Sequence, residues 1–263
     1  MKTFKPKSMF LKNAAFTVVG LLVTVVIAGA APAPRRSVIT GSADVVFPHI
    51  ADGGQWTTSF TLMNLSTNPA PYTLSFFRDD GSPLTLVILG IGAASGVTGT
   101  LEVNGSVVLQ TAGGGSIRQG WAQLDYTEQM AGFAVFKSHR PGFIDSEAAV
   151  PLGSYYEHRF VMAFDNTAGY VTGVAIVNPS QTVTATVFVT FRDESGNQIQ
   201  LDSFTMGPLT HTAFSVPEFY PLVADRRGLV EFSTSSAALA GLGLRFNPAG
   251  SFTSTSPFSD ASW

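Results

Sequence analysis

Thr58–Asp79, TSFTLMNLSTNPAPYTLSFFRD, and Thr172–Asp193, TGVAIVNPSQTVTATVFVTFRD, lie 114 residues apart and align without a gap. Thr, Asn, Ser, Phe, Arg and Asp coincide at six of the 22 positions, and apolar FTLM falls on apolar VAIV. Self-similarity at a fixed offset marks a repeated structural unit. Inside the second copy the period is two. Thr184, Thr186, Phe188, Thr190 and Arg192 alternate with Ala185, Val187, Val189 and Phe191, the signature of a strand with one buried face.

The correspondence extends in both directions. Upstream, Trp56 faces Tyr170, and Asp52-Gly53-Gly54 corresponds to the loop from Asp165 to Gly169. Downstream the offset falls to 108 or 109, where RQGWAQLDYTEQMAGFAVF from Arg118 meets RRGLVEFSTSSAALAGLGLRF from Arg226. Asp80-Gly81, Asn104-Gly105, Pro141-Gly142, Asn178-Pro179, Ser195-Gly196-Asn197 and Asn247-Pro248 supply turns at intervals of roughly 8 to 12 residues. Seven or eight strands in about 100 residues is the scale of an immunoglobulin-like sandwich. The expected fold is therefore all-β, with two tandem immunoglobulin-like antiparallel β-sandwich domains at residues 41–150 and 151–258. One short helix is expected, Pro217 to Val223, with Ser215 as its cap.

Composition agrees with this reading. Of 263 residues, 45% are hydrophobic and only 13% charged, about half the usual charged share, which excludes a self-repelling disordered chain. Twenty-six Gly and fifteen Pro suit tight turns, and the absence of cysteine excludes both a disulfide framework and cysteine-ligated metal.

The first thirty residues read as a secretory signal peptide. Lys2, Lys5, Lys7 and Lys12 precede an apolar run from Ala14 to Ala28, and Ala28-Gly29-Ala30 is a small-x-small cleavage site. The apolar run is shorter than the roughly 20 residues of a spanning helix, which argues against its retention as an uncleaved anchor, and no second apolar run of that length follows, so no membrane insertion is expected after cleavage. Removal leaves eleven basic residues against eighteen acidic ones, a net charge of −7, with Lys137 as the last lysine. Such a surface does not suit nucleic acid or anionic lipid.

FPHIADGGQWTTSFTLMN with FFRDDGSPL and GFAVFKS, followed by AGYVTGVAIVNP with FRDESGN and GLGLRFNP, resembles a tandem β-sandwich repeat of secreted, largely uncharacterised acidobacterial proteins. The resemblance covers nearly all of the chain after the signal. It implies an exported repeat, secreted, extracellular or in the cell envelope including the periplasm, and it carries no catalytic residues.

Motifs for chemistry are weak. Leu86–Gly96, LVILGIGAASG, imitates a dinucleotide fingerprint, but its third glycine is displaced and no helix follows. The Asp79-Asp80 and Asp193-Glu194 pairs beside turns read as hairpin chemistry, because the calcium-loop alternation of oxygen ligands is missing. His49, His139, His158 and His211 lack metal-ligand spacing, and Ser116 sits in a glycine run without a nucleophile elbow. No catalytic, cofactor or metal residue is assigned.

Trp56 reads as core, sharing its repeat position with Tyr170, yet Trp56, Tyr155 and Tyr156 are also the candidates for ligand contact. The expected function is a non-catalytic binding, adhesive or structural module whose partner is a carbohydrate or an extracellular protein. The competing reading is a glycoside- or peptide-directed extracellular hydrolase with its site between the two domains. Exported protein should begin near Ala31 on N-terminal sequencing; material beginning at Met1 would contradict the signal assignment.

Overall fold

The computed structural model describes residues 45–142, 144–152 and 158–258, so the signal segment and Tyr155-Tyr156 lie outside the described residues. Alternating side chains and glycine-punctuated turns give an all-β chain. In its first half β1 (Val45–Asp52), β2 (Trp56–Asn64) and β3 (Ala70–Phe77) come first. They are followed by β4 (Leu86–Ile88), β5 (Gly92–Ala94), β6 (Gly96–Leu101) and β7 (Ser106–Gln110), then β8 (Arg118–Tyr126), β9 (Met130–Ser138) and β10 (Ser146–Pro151).

The second half has β11 (Arg159–Asp165), β12 (Val171–Val177), β13 (Ala185–Asp193), β14 (Gln198–Met206) and β15 (His211–Ser215). After α1 (Val216–Phe219) and a 3₁₀ turn at Pro221–Val223 come β16 (Arg227–Ser233), β17 (Ala240–Phe246) and β18 (Phe252–Thr255). The helix starts where expected, with proline in its first turn, but Ser215 makes no side-chain cap bond. The Gly90-x-Gly92 segment is the bend between β4 and β5, a small hairpin.

Four antiparallel sheets carry the structure. The first half has β1-β8-β3-β6 and β10-β9-β2-β7; the second has β11-β16-β13-β14 and β15-β12-β17-β18. Setting aside the β4–β5 hairpin, the strands of each half occupy the same places in the same order. In each half the second strand pairs with the fifth and the third with the sixth, as in an immunoglobulin domain; the seventh lies beside the second, where the immunoglobulin order puts it beside the sixth.

Equivalent hydrogen bonds anchor equivalent corners. Asn64 donates through Nδ2 to the carbonyls of Asn68, Leu101 and Glu102 while its Oδ1 accepts from Ser66 N–H. Asn178 donates to Val183, Met206 and Gly207 and accepts from Ser180 N–H. Each asparagine is fully buried and satisfies carbonyls that a turn would otherwise leave without a donor. Thr58 and Thr172 likewise each accept from one backbone N–H and donate to the carbonyl of the same residue, Ala51 and Asp165 respectively.

Beyond the asparagines the ungapped alignment slips by one. Ala70 pairs with Leu101 and Ala185 with Met206, and the buried series Ala70, Tyr72, Leu74, Phe76 matches Ala185, Val187, Val189, Phe191. Phe76, not Phe77, is the partner of Phe191. A Cβ at Gly120 would overlap the carbonyl of Phe77, and one at Gly228 the carbonyl of Arg192, which sets Phe77 against Arg192. The loop after Asn178 is one residue longer than that after Asn64, and a one-residue slip exchanges the faces of a strand. Phe77, which the ungapped alignment sets over Phe191 of the core, is therefore only half-buried and stacks on Trp121 with centroids 4.5 Å apart.

Each half has its own core. Phe47, Phe60, Leu62, Leu74, Phe76, Leu124 and Phe136 fill the first; Phe160, Met162, Val187, Val189, Phe191, Val230 and Phe232 fill the second. Such a side chain contributes about 1.5–3 kcal/mol when fully buried. Phe76→Ala and Phe191→Ala should each destabilise by about 3–5 kcal/mol in chemical denaturation, and Phe77→Ala by clearly less. Equal losses at Phe76 and Phe77 would return the strand to the uncorrected register.

Candidate functional site

The two halves join through one sheet face. On β12, Val174 and Ile176 enter the second core, while Ala175 on the other face joins the core of the first half together with Leu242 and Leu244 of β17. β17 is reversed relative to an ordinary half-buried strand. Its inward positions are Gly241 and Gly243, whose absent side chains leave room for Phe160 and Met162. Its large residues point at the first half instead. Opposite them β1 is buried along its whole length, and Val46, Trp121, Val177 and Ala240 extend the contact.

β1 carries an extra residue between Phe47 and Ile50 in its pairing with β8. A bulge of this kind re-aims a side chain, and the residue it brings to the seam is His49. His49 Nδ1 lies 3.2 Å from His211 Nε2, and His211 Nδ1 lies 2.8 Å from Asp79 Oδ1. The Asp79 carboxylate accepts the Nδ1–H of His211, which leaves its Nε2 lone pair to accept from His49. Gln119 donates to the second Asp79 oxygen at 2.9 Å, and the backbone N–H of His211 donates to the Asp79 carbonyl at 3.0 Å. Both rings are buried, nearly parallel at 24°, and His49 also meets Phe136 edge-on.

Burial, and then the neighbouring His211 ring, push the pKa of His49 down to about 3 against the weaker opposing pull of Asp79. Burial alone would raise Asp79; the hydrogen bond and charge of His211, with the Gln119 bond, override it and hold the carboxyl below its ordinary range. Asp79 thus does not serve its hairpin. The turn is made by Asp80, whose carboxylate accepts from the N–H and hydroxyl of Ser82, and in the other half by Asp193, which accepts from Ser195 and Asn197.

Where the seam reaches α1 it opens into a cleft of about 270 Å³. Trp56, Phe246, Phe252, Val171 and Pro217 supply its apolar lining; Gln55, Ser138, Arg140, Ser215 and Glu218 supply polar groups. Both halves contribute, so the cleft exists only while they are joined. Arg140 donates to the carbonyl of Gly250, and Gln55 Oε1 is buried with no hydrogen-bond partner among the described residues.

Of the three aromatic residues singled out from sequence, only Trp56 can be placed. It is 6% exposed and stacks on Phe252 at 5.4 Å, so it forms the wall of the cleft and belongs to the core. The accessible rings are Phe246 and Phe252, which the sequence reading missed because both come from the half that does not contain Trp56. The interface histidines bond to each other and, through His211, to Asp79, and among the described residues neither bonds to a serine. No grouping of three or more His, Asp or Glu fit for a metal ion occurs among the described residues.

No family model matches the chain, and no match was found among curated proteins or solved structures.

Asp79→Asn puts an amide where the Gln119 amide and the His211 N–H both donate. It should lower stability by about 1–3 kcal/mol in urea denaturation at pH 7. An unchanged midpoint would mean that the carboxylate is not the acceptor that orders the two rings.

Proposed function

We propose that the chain is an exported, non-catalytic carbohydrate-binding module built from two tandem copies of one immunoglobulin-like β-sandwich unit, with its ligand in the cleft between them. The tandem reading is supported by the matched strand orders and by the Asn64 and Asn178 corners. Export rests on the signal segment and on the resemblance to secreted acidobacterial repeats.

The observation that carries the binding reading is the make-up of the cleft. Partly exposed Phe246 and Phe252 offer apolar ring surface, while Glu218 and Arg140 at the rim offer acceptors and a donor. A pyranose has the matching surface: an apolar C–H face for the rings and hydroxyls that both donate and accept. Opposite charges at the rim favour an uncharged ligand over an anion or a cation. The volume suits one or two sugar rings at the end of a chain.

Against the hydrolase reading stands the chemistry of the same lining. Glycoside hydrolysis uses a pair of carboxylates, and the lining carries one, Glu218. Ser138 and Ser215 face the cleft, but the His211 nitrogen that would have to face a nucleophile, Nε2, is taken by His49.

A glycan array followed by titration calorimetry tests this. Phe252→Ala and Glu218→Gln should each weaken the best-bound glycan at least tenfold, with no glycan released as product. Absence of binding to any neutral glycan at millimolar concentration, or turnover abolished by Glu218→Gln, would overturn it.

A further inference from the structure

We propose that Asp79, His211 and His49 form an acid-released latch that holds the two halves together at neutral pH and lets them part as the solution is acidified. The latch rests on the seam itself. Only its consequence, that the cleft loses its second wall in acid, rests on the sugar-binding reading.

The geometry gives a one-way chain of donors. His49 donates to His211, which donates to Asp79, and each imidazole is buried at the contact of strands from different halves. Two rings and one carboxylate satisfy the chain. An added proton on His49 has no counter-charge to meet. Its neighbours are the His211 ring, the Phe136 edge, and a small void lined by Gly173, Val174, Ala175, Ala213, Phe214, Leu244 and Phe246. None of these second-half residues carries charge, and Asp79 stands one imidazole further away. Around Asp79 the facing groups are His211, Gln119 and, more distantly, His49. A cation at His49 would therefore be buried unpaired, whereas parting of the halves gives it to water.

Linkage sets the direction. His49 binds its proton with the ordinary value of 6.5 when open to water and about 3 when closed. Above pH 6.5 it is neutral in both states and the closed seam keeps its full stability. Between pH 6.5 and about 3 the open state binds the additional proton, so the closed-to-open ratio falls about tenfold for each pH unit. Asp79, held below its ordinary value, adds to the loss only at the acid end of this range.

Hydrogen exchange of the full chain reads this ratio even when the open state is rare. The His211 amide reports the seam because it donates to Asp79 across it; the amides of β13 report the second core. Expressed as protection factors, which remove the intrinsic pH dependence of exchange, the His211 amide should lose about tenfold per pH unit from 6.5 to 4.5. In His49→Gln, which keeps a donor but cannot be protonated, the loss should disappear, and the β13 amides should stay better protected throughout. Should that variant fail to fold, the native chain alone still decides. Protection at His211 that does not change with pH would overturn the latch. So would protection equal to that of β13 at every pH, because the seam would then open only with unfolding. An unaltered slope in folded His49→Gln would place the acid response elsewhere. None of these readings depends on a sugar, so loss of the binding proposal leaves the latch standing, and the reverse.

Discussion

A sheet that is apolar on both faces has to be covered twice, and β15-β12-β17-β18 is such a sheet. One side closes the second core; the other, with Ala175, Leu242 and Leu244, would stand in water if β1 and its neighbours did not cover it. Covering that face fixes where the halves meet, which makes β1 a buried strand at the edge of its own sheet. It also brings the bulged His49 against His211, and its unfinished end is the cleft. The two features with chemical character are both by-products of one burial requirement.

Polar groups inside that seam follow the usual rule for buried polarity. The Asp79 carboxylate meets the His211 imidazole across the seam and the Gln119 amide of its own half, and Trp121 donates its indole N–H across the seam to the carbonyl of Leu209. Directional bonds of this kind add less to affinity than apolar area does, but they reject sliding of one face over the other. In an otherwise smooth contact they specify the docking position.

Much of the architecture was legible in the residues. Period-two alternation in β13, turn dipeptides and the shared Asn-Ser and Arg-Asp pairs were enough for strands and turns, and they pointed to the strand order that the two halves share. The one-residue slip after Asn178 was not, because identical Phe-Arg-Asp letters in both copies reward the wrong register, and only hydrogen-bond partners expose it. The cleft was harder still. Trp56 drew notice as a large aromatic residue, yet its neighbours Phe246 and Phe252 lie about 190 residues away along the chain. Nothing local in either segment announces the other. For Asp79 the difficulty was a competing explanation: a carboxylate next to Asp80-Gly81 is accounted for by turn chemistry, and its true partner His211 is 132 residues distant.

Gly241 and Gly243 turn β17 inside out, lending its own core only empty space and spending its leucines on the neighbour. The fold is modular in its strand order without being modular in its solubility. A second half severed from the first would carry an intact core and a bare leucine-lined strip, the kind of surface on which molecules gather. The two halves form a pair in which the later member is finished by the earlier one.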